Sequence, residues 1–264
     1  MTNSRPLALV TGASSGIGAD LARELARNGH DLVLAARRVE PMQALATELA
    51  ALGAASTVIA ADLSKPGAAA ALVAELAARG LVLDVLINNA GLGAGGPFHE
   101  SDPVRVSEML YVNIVALTEL MRALLPGMVE RRRGRVMFVA STAGYQPGPS
   151  LAVYSATKAY VLSLGEALGY ELRGSGVTVT TLCPGATHTE FTKVANTGSS
   201  ALFESPLAVV MSSAEVARQG YRALAAGKRV HIVGLINKLV ATSGRFSPHA
   251  ISLPVTSAIL KPGK

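Results

Sequence analysis

The chain has 264 residues, of which 50% are hydrophobic and 16% are charged, with a mean hydropathy of +0.37. This balance suits one large domain with a buried core and excludes a disordered chain. The net charge of +6 raises the question of nucleic-acid binding, but the sequence has no nucleic-acid motif and no aromatic residues interleaved with the basic ones.

The densest basic cluster comprises Arg131, Arg132, Arg133 and Arg135. It follows a long helical pattern, where cations complement the negative end of the helix dipole. We therefore favour a structural role for this cluster over a phosphate-binding patch, and we expect no nucleic-acid partner.

Other features of the sequence bear on its cellular compartment. The sequence shows no uninterrupted apolar run of membrane-spanning length, and its first residues lack the pattern of a signal peptide. Cys183 is the only cysteine, so no disulfide can form within the chain. These features predict a soluble, cytoplasmic protein.

A short apolar run at residues 7–10 leads into the sequence TGASSGIG, which is followed by a helical pattern at residues 19–29. A glycine turn between a strand and a helix directs backbone N–H groups and the positive end of the helix dipole at an anion. The spacing of Gly12, Gly16 and Gly18 differs from the commoner dinucleotide fingerprint, and a purely structural turn is the alternative.

The second predicted strand, Asp31–Ala36, ends in Arg37 and Arg38. These arginines lie about 20 residues beyond the last glycine, where an acidic residue binds a ribose hydroxyl and an arginine accommodates a 2′-phosphate. We therefore expect NADP(H) rather than NAD(H), with ordinary solvated arginines as the alternative.

The remaining elements alternate regularly along the chain. Apolar runs predict further strands at residues 56–61, 83–87, 135–140, 177–182 and 229–233, and helical patterns predict helices at 41–53, 65–80, 102–130, 152–172 and 213–226. Such alternation predicts an α/β fold in which a doubly wound parallel sheet of about seven strands carries helices on both faces. We see no linker, so residues 1–264 are expected to form a single domain.

Two polar residues in these elements have open interpretations. Asp62 lies just past the third strand, where it could contact a ligand or cap the next helix. Asn113 lies inside the longest helical pattern, which we expect to kink or end near Pro126. Asparagine is unfavourable in a helix interior, so its presence at position 113 requires an explanation. Exposure at the surface is one such explanation.

Tyr154 and Lys158 are four residues apart on a predicted helix and therefore share one face. A nearby ammonium lowers the pKa of a tyrosine toward the range useful for acid-base catalysis, and Ser141, at the end of the fifth strand, could hold the same substrate oxygen. A lone pair of this kind usually marks only a solvated helix face. This helix is apolar nearly all round, which predicts burial against the sheet and against another subunit.

The motifs TGASSGIG, NNAG, Asn113, Ser141, YSATK and PGATHT resemble, in order and spacing, those of the short-chain dehydrogenase/reductase family over residues 7–233. The resemblance implies a Rossmann-type fold, a catalytic set of Ser141, Tyr154, Lys158 and Asn113, and reduction of a carbonyl with Tyr154 as the proton donor. It also implies that Asn113 holds a water linked to Lys158, and that the nicotinamide cofactor helps to lower the pKa of Tyr154.

The expected cofactor-binding set combines the resemblance with the arginine argument, and it includes no metal. Its members are Gly12, Ser14, Ser15, Gly16, Ile17, Gly18, Arg37, Arg38, Asp62, Leu63, Asn89, Ala90, Gly91, Tyr154, Lys158, Pro184, Gly185, Thr187 and Thr189.

The candidate substrate pocket comes from loops at the carboxyl ends of the strands. Its members are Leu92, Gly93, Phe98, Tyr145, Gln146, Leu151, His188 and Phe191. They are mostly apolar and include no arginine, so we expect a hydrophobic ketone or secondary alcohol. We interpret His188 as an ordinary histidine rather than a further acid.

Residues 190–212 have the weak periodicity of a substrate lid, and the tail at 234–264 is expected to pack on the domain or on a neighbour, with a membrane-surface role as the alternative. We expect a homodimer or homotetramer that acts on a small molecule. Two rival functions remain: epimerisation or dehydration on the same scaffold, and a non-catalytic NADP-binding protein.

Overall fold

The computed structural model describes residues 5–188 and 210–260, and within them it contains one large sheet of seven strands, all parallel. Its strands are Leu7–Thr11 (β1), Asp31–Ala36 (β2), Ser56–Ala60 (β3), Val85–Asn88 (β4), Gly134–Val139 (β5), Val177–Cys183 (β6) and Val230–Ile232 (β9). A separate pair of two-residue strands is formed by Thr187–His188 (β7) and Met211–Ser212 (β8).

The strand order β3-β2-β1-β4-β5-β6-β9 confirms the predicted doubly wound sheet. The chain winds outward in one direction from β1 to β3 and in the other direction from β4 to β9. In such sheets the ligand crevice lies beyond the carboxyl ends of the strands, at the switch between β1 and β4. The glycine turn after β1 and the NNAG segment after β4 therefore lie side by side.

Helices cover both faces of the sheet, as predicted. They are Gly16–Arg27 (α1), Val39–Ala50 (α2), Ala68–Ala78 (α3), Pro103–Leu110 (α4), Leu117–Glu130 (α5), Ala152–Glu171 (α6), Ser213–Ala225 (α7), Leu235–Phe246 (α8) and His249–Leu260 (α9). Two hydrophobic cores result, one beneath α1, α2 and α7 and the other beneath α3, α5 and α6. Alternate residues of β1 point to opposite cores, because successive strand side chains face opposite sides.

The long predicted helix at residues 102–130 has a different internal structure from the one expected. It continues through Pro126 to Glu130, and its irregularity comes earlier, in a π-helical segment at Tyr111–Ala116 that contains Asn113. A π turn inserts one extra residue into a helix and is frequent at functional sites. The first helix also begins earlier than predicted, at Gly16 inside the glycine motif rather than at Ala19.

Among the described residues, one helical stretch is long and apolar enough to cross a membrane by length and composition, although the sequence showed no uninterrupted apolar run. This stretch is Pro103–Glu130, which contains Glu108, Glu119 and Arg122. Its side chains Leu117, Leu120 and Met128 lie in one of the two cores, so we interpret it as a core helix.

The arginine cluster after α5 has structural partners, in line with the role favoured from the sequence. Arg131 donates to the carbonyl oxygen of Leu83 at 3.1 Å, and Arg132 donates to that of Gly174 at 3.1 Å. Arg133 pairs with Asp84 at 2.9 Å. These contacts join the end of α5 to neighbouring loops.

Helix α6 approaches the sheet so closely at Gly165 that a side chain has no room. A methyl group there would overlap Thr181 Oγ1 and lie 3.2 Å from Phe138 Cδ2. At Gly169, one turn later on the same helix, a methyl group would come no closer than 3.4 Å to Arg229 Cγ, which is ordinary contact.

We therefore predict opposite effects of alanine at these two glycines. Gly165→Ala should lower the free energy of unfolding by about 1–3 kcal/mol through overpacking. Gly169→Ala should leave it unchanged or raise it by up to ~1 kcal/mol, because alanine favours a helix. Urea unfolding of both variants checks this, and equal stabilities would contradict the close approach of α6 to the sheet.

Candidate active site

The three residues of the proposed catalytic set that come from β5 and α6 converge. Ser141 follows β5 in an extended conformation, and its Oγ accepts a hydrogen bond from the N–H of Ala143 at 3.1 Å. Its hydroxyl also hydrogen-bonds the phenol of Tyr154, in the first turn of α6. The sequence predicted this meeting, because the end of a strand and the start of the following helix lie at one edge of the sheet.

Lys158 lies in the interior beneath this pair. Its side chain is buried, and Nζ donates to the carbonyl oxygen of Val139 at 2.8 Å. Nζ lies 5.7 Å from the centre of the Tyr154 ring. Burial disfavours the ammonium and lowers the pKa of Lys158 to about 8.

The pKa of Tyr154 differs from the sequence-based expectation. Burial raises it to about 12, and the hydrogen bond with Ser141 offsets only part of that rise. The expectation that Lys158 lowers the pKa is therefore wrong for the chain alone, because burial of the phenol outweighs an ammonium that is directed at Val139. In the absence of another cation, Tyr154 remains protonated and can act as a proton donor.

Asn113 is buried, so surface exposure does not explain it. Its Oδ1 accepts from the N–H of Leu92 at 2.9 Å, and its Nδ2 donates to the carbonyl oxygen of Leu92 at 2.9 Å. Nδ2 also donates to Thr157 Oγ1 at 2.9 Å, and Thr157 donates in turn to the carbonyl oxygen of Tyr154 at 2.7 Å. Asn113 thus joins the loop after β4 to the catalytic turn of α6.

Thr157 is a functional candidate that the sequence reasoning missed. It is fully buried, and its hydroxyl bridges the Asn113 side chain and the backbone of Tyr154. Its position inside the YSATK motif was the available signal, but its side chain was not assigned a role because only the first and last residues of that motif were expected to act.

The glycine turn packs so closely on itself and on Asn89 that side chains at Gly12 and Gly18 have no room. Gly12 has a φ of 67°, and a methyl group at Gly18 would overlap the Gly12 carbonyl oxygen and lie 2.5 Å from Asn89 Nδ2. Helix α1 begins at Gly16, and in the described part of the chain the Ser15 side chain makes no capping hydrogen bond to it. The first N–H groups of α1 therefore remain available to an anion.

Thr11 and Asn89 hold this turn against β4. Asn89 Nδ2 donates to the carbonyl oxygen of Thr11 at 2.9 Å, while Thr11 Oγ1 donates to that of Ile87 at 3.2 Å and accepts from the N–H of Ala90 at 3.0 Å. Asn89 was expected in the cofactor-binding set, and its side chain also has this supporting role. Thr11 was missed, although it stands between the strand and the first glycine.

The ends of β2 and β3 form a basic corner beside the glycine turn. Arg37 and Arg38 are exposed, and Arg38 Nη2 donates to Ser14 Oγ at 3.4 Å. Asp62 accepts from both the N–H and the hydroxyl of Ser64, whereas α3 begins only at Ala68. Burial disfavours the Asp62 carboxylate, but the bonds from Ser64 and the nearby Arg37 outweigh it and hold the pKa of Asp62 below its usual value.

These features fit an NADP(H) cofactor. The uncapped N-terminus of α1 suits a pyrophosphate, and the guanidinium groups of Arg37 and Arg38 suit a 2′-phosphate. The other expected cofactor residues follow the same strand ends: Ser14, Ser15 and Ile17 after β1, Ala90 and Gly91 after β4, and Pro184, Gly185 and Thr187 after β6.

Leu63 was expected in the cofactor set. Its side chain lies in the core beneath α3, α5 and α6, so only its backbone remains available to a ligand. Thr189 was expected at the cofactor and lies outside the described residues.

The candidate substrate residues are only partly brought together. Leu92 and Leu151 are buried, and Leu92 belongs to the core beneath α3, α5 and α6, so these two support the wall rather than offer free surface. Tyr145 Oη donates to Cys183 Sγ at 3.9 Å. His188 is exposed on β7.

The other residues predicted to line the substrate pocket differ in their exposure. Gly93 is buried, Gln146 is half-buried, and Phe98 is 66% exposed, which makes Phe98 a poor lining residue. Phe191 lies outside the described residues. The predicted lid at 190–212 also falls there, except for its last three residues.

The buried ammonium of Lys158 gives a prediction for stability. Lys158→Met should raise the free energy of unfolding at about pH 7 by about 1–2 kcal/mol, because the folded variant no longer contains a buried ammonium group. The unfolded chain binds more protons than the folded one between the folded pKa of about 8 and the ordinary 10.5, so wild-type stability recovers as pH rises through that window.

The advantage of Lys158→Met should therefore shrink above about pH 8 and vanish near 10.5. Urea unfolding across this pH range measures the difference in stability between the variant and the wild type. Lys228→Met, which changes an exposed lysine, is the matched control. If Lys158→Met is less stable than the wild type at about pH 7, the conclusion that burial of the Lys158 ammonium opposes folding is contradicted.

Comparison with known proteins agrees with this geometry. The family model of short chain dehydrogenases matches residues 6–200. The NADP-dependent 3-hydroxy acid dehydrogenase YdfG of Salmonella typhi is 40% identical over 192 residues, which cover 71% of this chain and 75% of that protein.

Two solved structures extend the likeness over most of the chain. A short-chain dehydrogenase from Sphingobium yanoikuyae in complex with NADPH matches with a TM-score of 0.80 at 34% identity, covering 90% of this chain and 92% of that one. A bulky-bulky ketone specific alcohol dehydrogenase from Comamonas testosteroni matches with a TM-score of 0.77 at 29% identity, covering 92% and 93%. The chain therefore belongs to the short-chain dehydrogenase/reductase family.

Proposed function

We propose that this protein is an NADP(H)-dependent oxidoreductase that interconverts a hydrophobic ketone and the corresponding secondary alcohol. The observation that carries the proposal is the convergence of Ser141 and Tyr154 above the buried Lys158. A phenol and a hydroxyl that meet in this way offer a carbonyl oxygen a proton donor and a second hydrogen bond.

The cofactor is NADP(H), which supplies or accepts the hydride when bound. The basic corner at Arg37 and Arg38 supports this choice, since an acidic residue there would instead repel a 2′-phosphate. The relatives agree, because one is described as NADP-dependent and another was solved with NADPH.

Each residue of the catalytic set has a separate task in the proposal. Tyr154 holds a proton on Oη, which its raised pKa retains at neutral pH, and donates it to the carbonyl oxygen during reduction. Ser141 orients that oxygen. Lys158 supplies positive charge beneath the phenol, which favours the phenolate left after the transfer.

In this proposal Asn113 fixes the position of one wall of the site relative to the other. Its contacts with Leu92 and Thr157 fix the loop after β4 relative to the turn that carries Tyr154. The predicted water between Asn113 and Lys158 remains part of the proposal. Such a water would return a proton to the site from solvent.

A hydrophobic ketone is the substrate class that the candidate wall favours. Tyr145 is partly exposed and is backed by the buried side chains of Leu92 and Leu151, and none of the candidate pocket residues is an arginine that could bind a carboxylate. The likeness to a bulky-bulky ketone specific enzyme supports this class. The likeness to YdfG favours a 3-hydroxy acid as the second candidate.

We further propose a cytoplasmic homodimer or homotetramer in which residues 1–264 form one domain, 190–212 cover the substrate, and the tail packs on the domain or a neighbour. The outer face of α6 supports self-association, because Tyr160 and Tyr170 are 36% and 59% exposed there. Elongated apolar surface on one helix is a common basis for subunit contact.

The substrate and cofactor proposals are tested together by following NADPH absorbance with a panel of apolar ketones and a panel of 3-oxo acids. We expect kcat/KM for the best ketone to exceed that for the best 3-oxo acid by tenfold or more, about 1.4 kcal/mol of transition-state discrimination. We also expect NADPH to be preferred to NADH.

The variant Arg37→Ala/Arg38→Ala provides the control for the cofactor, because it should lose the preference for NADPH while retaining activity with NADH. Higher kcat/KM with 3-oxo acids would replace the ketone proposal by the second candidate. An absence of turnover with either panel, despite NADPH binding, would favour a non-catalytic binding protein.

A further inference from the structure

Helix α8 begins beyond the segment that the family model matches, which ends at residue 200. It nevertheless packs against the short turn Thr142–Tyr145 that follows Ser141, and against β9. Its side chains Leu235 and Leu239 are exposed, whereas Ala241 is buried, so the helix faces the domain with the side that carries Ala241. That side carries Asn237 in the first turn of the helix.

The amide of Asn237 lies directly on Gly185. A methyl group at Gly185 would overlap Asn237 Nδ2 and lie 2.6 Å from both Cγ and Oδ1. The same Nδ2 donates to the carbonyl oxygen of Val233 at 2.8 Å, in the residue directly after β9. Asn237 is therefore held by the segment after β9 and covers Gly185 in the loop after β6.

The loop beneath Asn237 is connected to the catalytic turn. The carbonyl oxygen of Pro184 accepts from the N–H of Thr142 at 2.9 Å, and Thr142 directly follows Ser141. Thr187 Oγ1 donates to the carbonyl oxygen of Gly185 at 3.0 Å, and the N–H of Val233 donates to that of Cys183 at 3.1 Å. A displacement of Gly185 would thus be passed to Thr142 through one hydrogen bond.

We propose that Asn237 is a positioning residue for carbonyl reduction: by clamping Gly185 it holds Pro184, and through the Pro184–Thr142 hydrogen bond it keeps Ser141 in contact with Tyr154. The inference rests on the proposed function. It assigns to the tail helix α8 a part in shaping the active site, in addition to packing.

A merely structural alternative exists, because a bond from a side chain to the carbonyl four residues earlier also stabilises a helix turn. Thr242 on the same helix makes a bond of that kind, from Oγ1 to the carbonyl oxygen of Lys238 at 2.7 Å, but it is exposed. Thr242→Ala is therefore the matched control for Asn237→Ala.

Asn237→Ala should lower kcat for a ketone on the order of ten- to a hundredfold, because small displacements of a catalytic group have effects of this size. Thr242→Ala should retain wild-type kcat. Both variants should bind NADPH and show wild-type circular dichroism, so the loss is not one of folding. The pH at which alcohol oxidation reaches half its maximum should move upward in Asn237→Ala, since the Ser141 hydrogen bond lowers the pKa of Tyr154.

A double-mutant cycle with Gly185→Ala separates positioning from helix capping. Gly185→Ala alone should impair turnover, because its methyl group collides with Asn237. In the Asn237→Ala background the collision is absent, so the double variant should be no worse than Asn237→Ala alone.

Additive losses in that cycle, an unshifted pH profile, or equal kcat for Asn237→Ala and Thr242→Ala would each overturn the inference while leaving the proposed function intact. If Asn237→Ala fails to fold, Asn237→Asp takes its place, because it keeps the shape over Gly185 and removes the donor to Val233. Failure of the wild-type protein to reduce any ketone would instead overturn the proposed function.

Discussion

Parallel pairing of β1, β4, β5 and β6 is the constraint on which the site depends. Every strand in this group runs in the same direction, so four strand ends meet at one edge of the sheet. The glycine turn, the NNAG segment, Ser141 and the Pro184–Gly185 loop each follow one of these ends. Residues far apart in the chain become neighbours there without any long-range motif in the sequence.

The edge is then fixed by buried polar contacts that cross between loops. Asn113 links the loop after β4 to α6, Thr11 and Asn89 link the glycine turn to β4, and Thr142 links the turn after β5 to the loop after β6. Buried amides and hydroxyls are costly unless they are hydrogen-bonded, so each contact has one favoured geometry. The buried ammonium of Lys158 is the member of this set that opposes folding, and its retention points to catalysis.

Much of the fold could be predicted because a parallel sheet buried on both faces gives near-continuous apolar strands with clear limits. The predicted strands at 31–36 and 56–61, for example, correspond to β2 and β3. The glycine turn and the meeting of Ser141 with Tyr154 followed from the same logic. The π-helical segment at Tyr111–Ala116 has no signal in local propensity; it contains Asn113, whose side chain is bonded to Thr157 of another helix.

The expectation that Lys158 lowers the pKa of Tyr154 was wrong for a related reason. Spacing placed Lys158 on the same helix face as Tyr154, but it carried no information on burial or on the Val139 carbonyl that receives the ammonium. Leu92 was assigned to the substrate pocket by its position in a loop at a strand end, whereas the direction of its side chain depends on the core. Asn237 escaped notice because its partner Gly185 is distant in sequence and has no side chain to signal a contact.

The most direct test of the central claim compares ketone reduction by Tyr154→Phe and Tyr160→Phe. Both changes remove one hydroxyl from α6, but Tyr160 is turned away from the site and contacts Thr118 at 2.9 Å. Tyr154→Phe should lose turnover by a factor on the order of a thousand or more while still binding NADPH, since it lacks the proton donor. Tyr160→Phe should remain close to wild type. Near wild-type turnover in Tyr154→Phe would contradict the account.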